Sequence, residues 1–353
     1  MPAVAWRLLS AAGKQNKNIF VMIKTLLAYI IISAALCACG GKNKANDTAG
    51  ASAAEPCGPV FNADSAYSYC AAQCDFGPRV MNSEAHERCG EWIAGRFEAY
   101  GMTVTRQKAV LRGYDGTQLK STNIIASHKP ERKERVMICA HWDTRPWADN
   151  DPDSANHRKP VLGANDGASG VAVMLEVARL LSSADSLSVG VDFVCFDAED
   201  WGVPSWSDVR DDGNSFALGA QYWAANPHVK GYKPRFGVLL DMVGGQGARF
   251  YREAFSMQYA PGVVEKVWDA AELLGFGSYF PVENGGMISD DHVPVNQIAG
   301  IPTIDIVPYY PECEASSFGP TWHTVHDDMS HIDRNTLQAV GQTVVQVLFS
   351  EGE

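Results

Sequence analysis

Apolar positions along the chain follow two alternating periods. The runs "VMICA" (136–140), "VGVDFVCF" (189–196), "FGVLLDMVG" (236–244) and "IPTIDIVP" (301–308) have the length and composition of buried strands. Between and around them lie longer stretches whose apolar residues recur every three or four positions, at 86–101, 170–181, 216–226, 263–275 and 333–350. Gly101 and Gly275 stop two of these helices, and Asp333 supplies an N-cap to the last. Strand alternating with helix predicts an α/β fold, a three-layer α/β/α arrangement with a mainly parallel central sheet and helices on both faces, in a single domain. No internal repeat breaks the pattern.

The pattern changes near the N-terminus. Lys14, Lys17 and Lys24 precede "TLLAYIIISAAL" (25–36), which is too short to span a bilayer and suits the core of a signal peptide. It ends in "LCACGG", where Cys39 is followed by Gly40 and Gly41, an arrangement that resembles a bacterial lipoprotein cleavage site. On that basis 1–39 is a signal peptide ending at a lipidated Cys39. The alternatives are an ordinary signal peptide cut nearby and a short membrane anchor. Residues 40–56 are small and polar and read as a flexible tether, and 57–353 as the folded domain. The expected protein is exported, meets the membrane only through an N-terminal lipid, faces the periplasm and is a monomer.

Charge and cysteine usage narrow the picture. A formal net charge of -12 with no long basic run argues against nucleic acid as a partner. Export makes disulfides available to Cys57, Cys70, Cys74 and Cys89, although spacing does not set the pairing and matches no zinc motif. Cys139 and Cys195, at the ends of predicted strands, read as small buried hydrophobes.

The chemistry gathers at the strand ends. "VMICA" runs into His141 and Asp143. "VGVDFVCF" runs into "FDAEDWG", with Asp197, Glu199 and Asp200. "GVLL" runs into Asp241. "GANDGASG" places Asp166 at the start of a helix, and "TWHTVHDD" brings in Trp322 and His323 after the last strand. In an open parallel sheet this carboxyl edge is where ligands bind. Carboxylates crowded at the end of a buried strand repel one another, and a divalent cation is what compensates them. Two carboxylates and one His with an open position is a catalytic zinc arrangement. Neighbouring side chains in an extended segment diverge, so Glu199 and Asp200 can take different roles. The loops 144–165, 201–216 and 308–322 lie on the same edge and are expected to form the pocket rim.

"HWD", "GANDGASG", "FDAEDWG", "LLDMVG", "DDHVP" and "WHTVHDD", in this order, resemble the zinc aminopeptidase superfamily, peptidase family M28. More narrowly they resemble its glutaminyl cyclase branch, including bacterial exported forms, over roughly residues 80–350. The resemblance implies one zinc per chain held by Asp166, Asp200 and His323, with Glu199 as general base and Asp241 beside the reacting nitrogen. It implies a supporting hydrogen-bonded acid at Asp290, pocket aromatics at Trp322 and Trp206, and bracing by His141 and Asp143. The implied activity is cyclisation of N-terminal Gln of peptides and proteins to pyroglutamate. Three departures stand out. Asp200 occupies a position that is usually Glu in the animal cyclases, Asp305 stands where those enzymes have a His, and Val171 replaces the second member of their Cys pair, so Cys139 is not expected to form that disulfide. The alternative is a two-zinc aminopeptidase using His141, Asp166, Asp200, Asp241 and His323; a third class is an inactive binding module on the same fold. Trp322 directly before His323, together with "DDHVP", favours the cyclase.

Overall fold

In the computed structural model, residues 55–351 are described, apart from 185 and 212. Cys39 and the apolar segment before it lie outside the described residues. Among those described, no helix is long and apolar enough to cross a membrane.

Six strands form one sheet: β1 (Thr103–Arg112), β2 (Gln118–His128), β3 (Arg135–His141), β4 (Gly190–Phe196), β5 (Gly237–Leu240) and β6 (Thr303–Ile306), in the order β1-β2-β4-β3-β5-β6. β4, β3, β5 and β6 run parallel to one another, whereas β2 is antiparallel to both β1 and β4. The four strands read from the apolar runs are the parallel ones. β3 and β4 are buried along their whole length, as strands covered on both faces must be. β1 and β2 escape the sequence pattern because β1 is an edge strand of alternating exposed and half-buried residues, so its apolar signal is weak.

The helices are α1 (Ala63–Cys74), α2 (Glu84–Ala99), α3 (Ala168–Leu181), α4 (Leu218–Ala225), α5 (Ala254–Tyr259), α6 (Pro261–Leu273) and α7 (Arg334–Ser350). Alternate strand residues face opposite cores. Ile138, Ala140, Phe193, Cys195, Leu240 and Ile306 pack with residues of α1, α2, α3, α6 and α7. Met137, Cys139, Val194, Phe196 and Leu239 pack against Ala220, Trp223 and Ala224 of α4 and the short turn at Val295. Helices therefore cover both faces, and the three-layer expectation holds. Cys139 and Cys195 lie in these two opposite cores. Cys70, Cys74 and Cys89 are buried thiols rather than bridged cysteines, and Cys70 Sγ is taken up by the Ala164 carbonyl at 3.0 Å.

α1 is built from small and polar residues, and its periodicity is faint in sequence. Asn62 caps it by accepting from the Ser65 amide. It braces the first turn of α3, because Gln73 Nε2 donates to the Ala168 carbonyl at 3.0 Å. α3 lies close on the sheet where Gly170 meets β5: a Cβ there would stand 2.1 Å from the Leu240 carbonyl oxygen. Gly170→Ala is therefore expected to destabilise the fold by about 1–3 kcal/mol through overpacking. Thermal unfolding checks it, and an unchanged midpoint would mean that α3 shifts freely.

Candidate active site

The parallel strands end on one edge of the sheet, and each delivers acids there. β3 ends at His141, followed by Asp143. β4 ends at Phe196, followed by Asp197, Glu199 and Asp200. β5 ends just before Asp241, and β6 carries Asp305. Asp166 precedes α3, and His323 arrives from the loop before α7. One of these residues and two neighbours in the same turns are backbone-strained. Ala198 (φ 55°), Met242 (φ 50°) and His323 (φ 54°) are non-glycine residues in the left-handed region. Such conformations cost about 1–3 kcal/mol each and persist where the surroundings over-determine them.

Two overlapping groups of metal-ligating atoms result, each with its atoms within 4.8 Å of one another: Asp166, Asp200 and His323, and His141, Asp166 and Asp241. All are buried. In the first, His323 Nε2 stands 3.3 Å from Asp200 Oδ1 and 3.7 Å from Asp166 Oδ2. In the second, His141 Nε2 stands 3.0 Å from Asp166 Oδ1 and 3.2 Å from Asp241 Oδ1. Both carboxylate oxygens of Asp200 are buried with no hydrogen-bond donor. Burial, then the charge of Asp166, pushes the Asp200 carboxyl up from its ordinary range. A buried carboxylate aimed at another acid and lacking a donor fits a cation between them, and the nitrogen and oxygen donors suit a zinc-type ion. Burial lowers the His141 pKa, but Asp143, Asp166 and Asp241 together hold it well above the usual range.

Glu199 belongs to neither group. It is half-buried, and burial followed by the Asp200 charge raises its carboxyl well above the ordinary value. Asp143 sets the geometry of the acid turn: its two oxygens accept from the Glu199 amide (3.0 Å) and the Asp200 amide (3.2 Å). Asp197 faces elsewhere, bound to His86 Nε2 at 2.8 Å and to the Thr122 amide at 2.6 Å. The three acids of "FDAEDWG" thus have three different surroundings.

Asp241, Asp290, Asp291 and Asp305 form a second bank of acids, all buried. Burial and then the Asp290 charge push Asp241 up to about 7. The same two causes raise Asp305 and Asp291 well above the carboxylate range. Trp322 stacks on His323, ring centroids 3.7 Å apart, and lies tilted against Phe318 at 4.8 Å. Trp206 lies farther out, stacked on His157 and edge-on to Trp147, whose ring lies 5.4 Å from the Arg145 guanidinium carbon.

Several supporting residues were not singled out by the sequence. Asp327 accepts from the amides of Asn165 (2.8 Å) and Asp166 (3.0 Å). Buried Arg79 donates to the carbonyls of Leu162 and Gly163 in the same loop. Arg145 and Asp149 pair beside Asp200 and His323; an Arg and an Asp four apart just after "HWD" were the available signal. Glu253 anchors the segment leading to Asp290, accepting from the amides of Phe255, Ser256 and Ile288, with His292 Nε2 at 3.2 Å. Ser256 Oγ in turn accepts from the Asp305 amide at 2.9 Å.

A model of peptidase family M28 matches residues 123–348. The glutaminyl cyclase of Bacteroides thetaiotaomicron is 53% identical, with a TM-score of 0.81 over 83% of this chain and 99% of that one. The glutaminyl cyclase of Tannerella forsythia is 51% identical, with a TM-score of 0.80 over 82% of this chain and 99% of that one. Aminopeptidase YwaD of Bacillus subtilis is 30% identical over 266 residues, 73% of this chain, and the chain spans 50% of that relative's length.

The Glu253 geometry makes a pH prediction. Burial works to raise its pKa, but His292 and the backbone donors hold it at about 2, below the ordinary 4.5. Its contribution is therefore full above about pH 4.5 and is lost as pH falls toward 2. Glu253→Gln is expected to remove roughly 3 kcal/mol at neutral pH. Denaturant unfolding from pH 7 to 3 should show the gap between wild type and variant narrowing with acid; a constant gap would contradict the assignment.

Proposed function

The chain belongs to peptidase family M28, and within that family we propose that it is a glutaminyl cyclase, converting the N-terminal Gln of peptides and proteins to pyroglutamate with release of ammonia. The observation that carries this reading is a half-buried Glu199 outside both candidate ligand groups, whose carboxyl burial and the charges of Asp200, Asp290 and Asp291 hold well above its ordinary value. The likeness to cyclases over nearly their whole length supports it.

Asp166, Asp200 and His323 would hold one zinc ion per chain. When bound, the ion polarises the side-chain amide of the substrate Gln and makes its carbon electrophilic. Glu199 accepts a proton from the α-amine, the freed nitrogen attacks the amide carbon, and the five-membered ring closes. The bond to the amide nitrogen breaks as Glu199 hands the proton to departing ammonia. A raised carboxyl pKa suits a group that must both take and return a proton near neutrality. Asp241, backed by Asp290 and Asp305, steadies the nitrogen. His141 and Asp143 brace rather than bind the ion. Trp322, stacked on His323, walls the pocket, and Trp206 lies on its outer rim. The attack is intramolecular, so the site gains rate mainly by holding the substrate folded.

The proposed location is that of an exported domain joined to a membrane by a lipid on Cys39 and facing the periplasm, as the likeness of "LCACGG" to a lipoprotein cleavage site suggests. Mass analysis of the mature N-terminus is expected to find Cys39 first and lipidated; any other start, or a bare Cys39, removes the lipoprotein assignment.

Incubation with a Gln-initiated peptide is expected to release ammonia and leave the chain length unchanged. Loss of the whole first residue would instead mean an aminopeptidase, and metal analysis giving two equivalents with His141 and Asp241 as ligands would point the same way.

Glu199→Gln keeps the shape and removes the base, so turnover is expected to fall about 10²–10⁴-fold with zinc retained. Asp200→Ala is expected to lose the metal first. Zinc content measured beside activity separates the two, and the reverse pattern would exchange their roles.

A further inference from the structure

Arg145 is only 1% exposed, and a buried guanidinium persists only where its donors are met. Nε and Nη2 bind the two oxygens of Asp149, each at 2.8 Å. Nη1 donates to the carbonyls of Asp200 (3.1 Å) and Gly202 (3.3 Å) and stands 3.6 Å from Asp200 Oδ1. Asp149 extends the chain of contacts. Its Oδ1 lies 3.4 Å from His323 Nδ1, and its Oδ2 accepts from the Ser205 amide at 2.9 Å. The other ring nitrogen of His323, Nε2, faces Asp200 and Asp166. One buried ion pair therefore reaches two of the three proposed zinc ligands from behind. The loop that carries the pair is also tied to the His323 loop, because the Asn150 amide donates to the His323 carbonyl at 3.1 Å and Asn150 Nδ2 to the Trp322 carbonyl at 3.3 Å.

A neutral imidazole carries one proton, and a carboxylate beside one nitrogen keeps the proton there and leaves the other free as a ligand. Asp149 stands on the Nδ1 side, so the lone pair is left at Nε2, toward the acids. The guanidinium is planar and forked, which lets it grip a carboxylate in two places and still reach two carbonyls; an ammonium cannot do both.

We propose that Arg145 and Asp149 are positioning residues that preset the zinc site: Asp149 holds His323 in the tautomer with Nε2 open, and Arg145 fixes Asp149 and the Asp200 backbone at one separation. This rests on the zinc assignment above, and its test needs no turnover. The purified protein and its Asp149→Asn and Arg145→Lys variants are stripped of metal and checked for fold by circular dichroism. Zinc affinity is then measured by chelator competition, and the visible spectrum is recorded after loading with cobalt(II). Both variants are expected to fold, to bind zinc about 10–100-fold more weakly and to show an altered cobalt spectrum. The proposal is overturned if either folded variant keeps wild-type affinity and spectrum. It is overturned equally if both fail to fold, because the pair then serves the fold and not the ion. Wild-type protein that takes up no zinc overturns the metal assignment itself.

Discussion

Repulsion among buried carboxylates is the constraint around which this site is arranged. Asp166, Asp200, Asp241, Asp290, Asp291 and Asp305 are all buried at the carboxyl edge of the parallel strands or in the segments packed against it. Placed together without compensation, such groups would destabilise the fold or take up protons. Compensation comes in three forms. Backbone amides serve Asp143 and Asp327; His141 and His323 stand between pairs of acids; and Arg145 stands behind the ligand group. What these leave over is both oxygens of Asp200, Asp291 and Asp305; a cation would neutralise the first, and protons the other two, whose carboxyls burial raises.

The same constraint separates roles among neighbours. Asp197, Glu199 and Asp200 occupy four consecutive positions with Ala198, yet one pairs with His86, one is half-buried and bound to no ligand group, and one belongs to a ligand triad. The left-handed turn at Ala198 and the two amide bonds to Asp143 hold this divergence. Strain at Met242 and His323 serves the neighbouring strand end and the late loop in the same way. Local backbone energy is spent where the side chains must aim, and the packed sheet beneath supplies the stability that permits it.

The two overlapping ligand groups share Asp166, so geometry alone allows the same edge to serve one ion or two. The two groups differ in what surrounds them. His141 is enclosed by Asp143, Asp166 and Asp241, and Asp241 backs onto Asp290 and Asp305. On the proposed cyclase reading, this bank of acids serves the reacting nitrogen of the substrate.

The sequence by itself determined the parallel strands, five of the helices and the edge at which the polar residues collect, because buried parallel strands leave continuous apolar runs and chemistry follows their carboxyl ends. Through the resemblance of its motifs it also named Asp166, Asp200 and His323 together, and their donor atoms lie within 4.8 Å of one another in the fold. It did not reveal α1, which is small and polar, the six-residue α5, or β1 and β2, which interleave polar residues with apolar ones. Tertiary structure alone decided that Asp143 binds the amides of Glu199 and Asp200, that Asp327 holds the Asp166 loop, and that Arg145 and Asp149 stand behind Asp200 and His323. These partners are far apart in sequence or lie in irregular loops, where no periodicity records which way a side chain points. Their pairing is set by how the layers pack, and a one-dimensional pattern carries no trace of it.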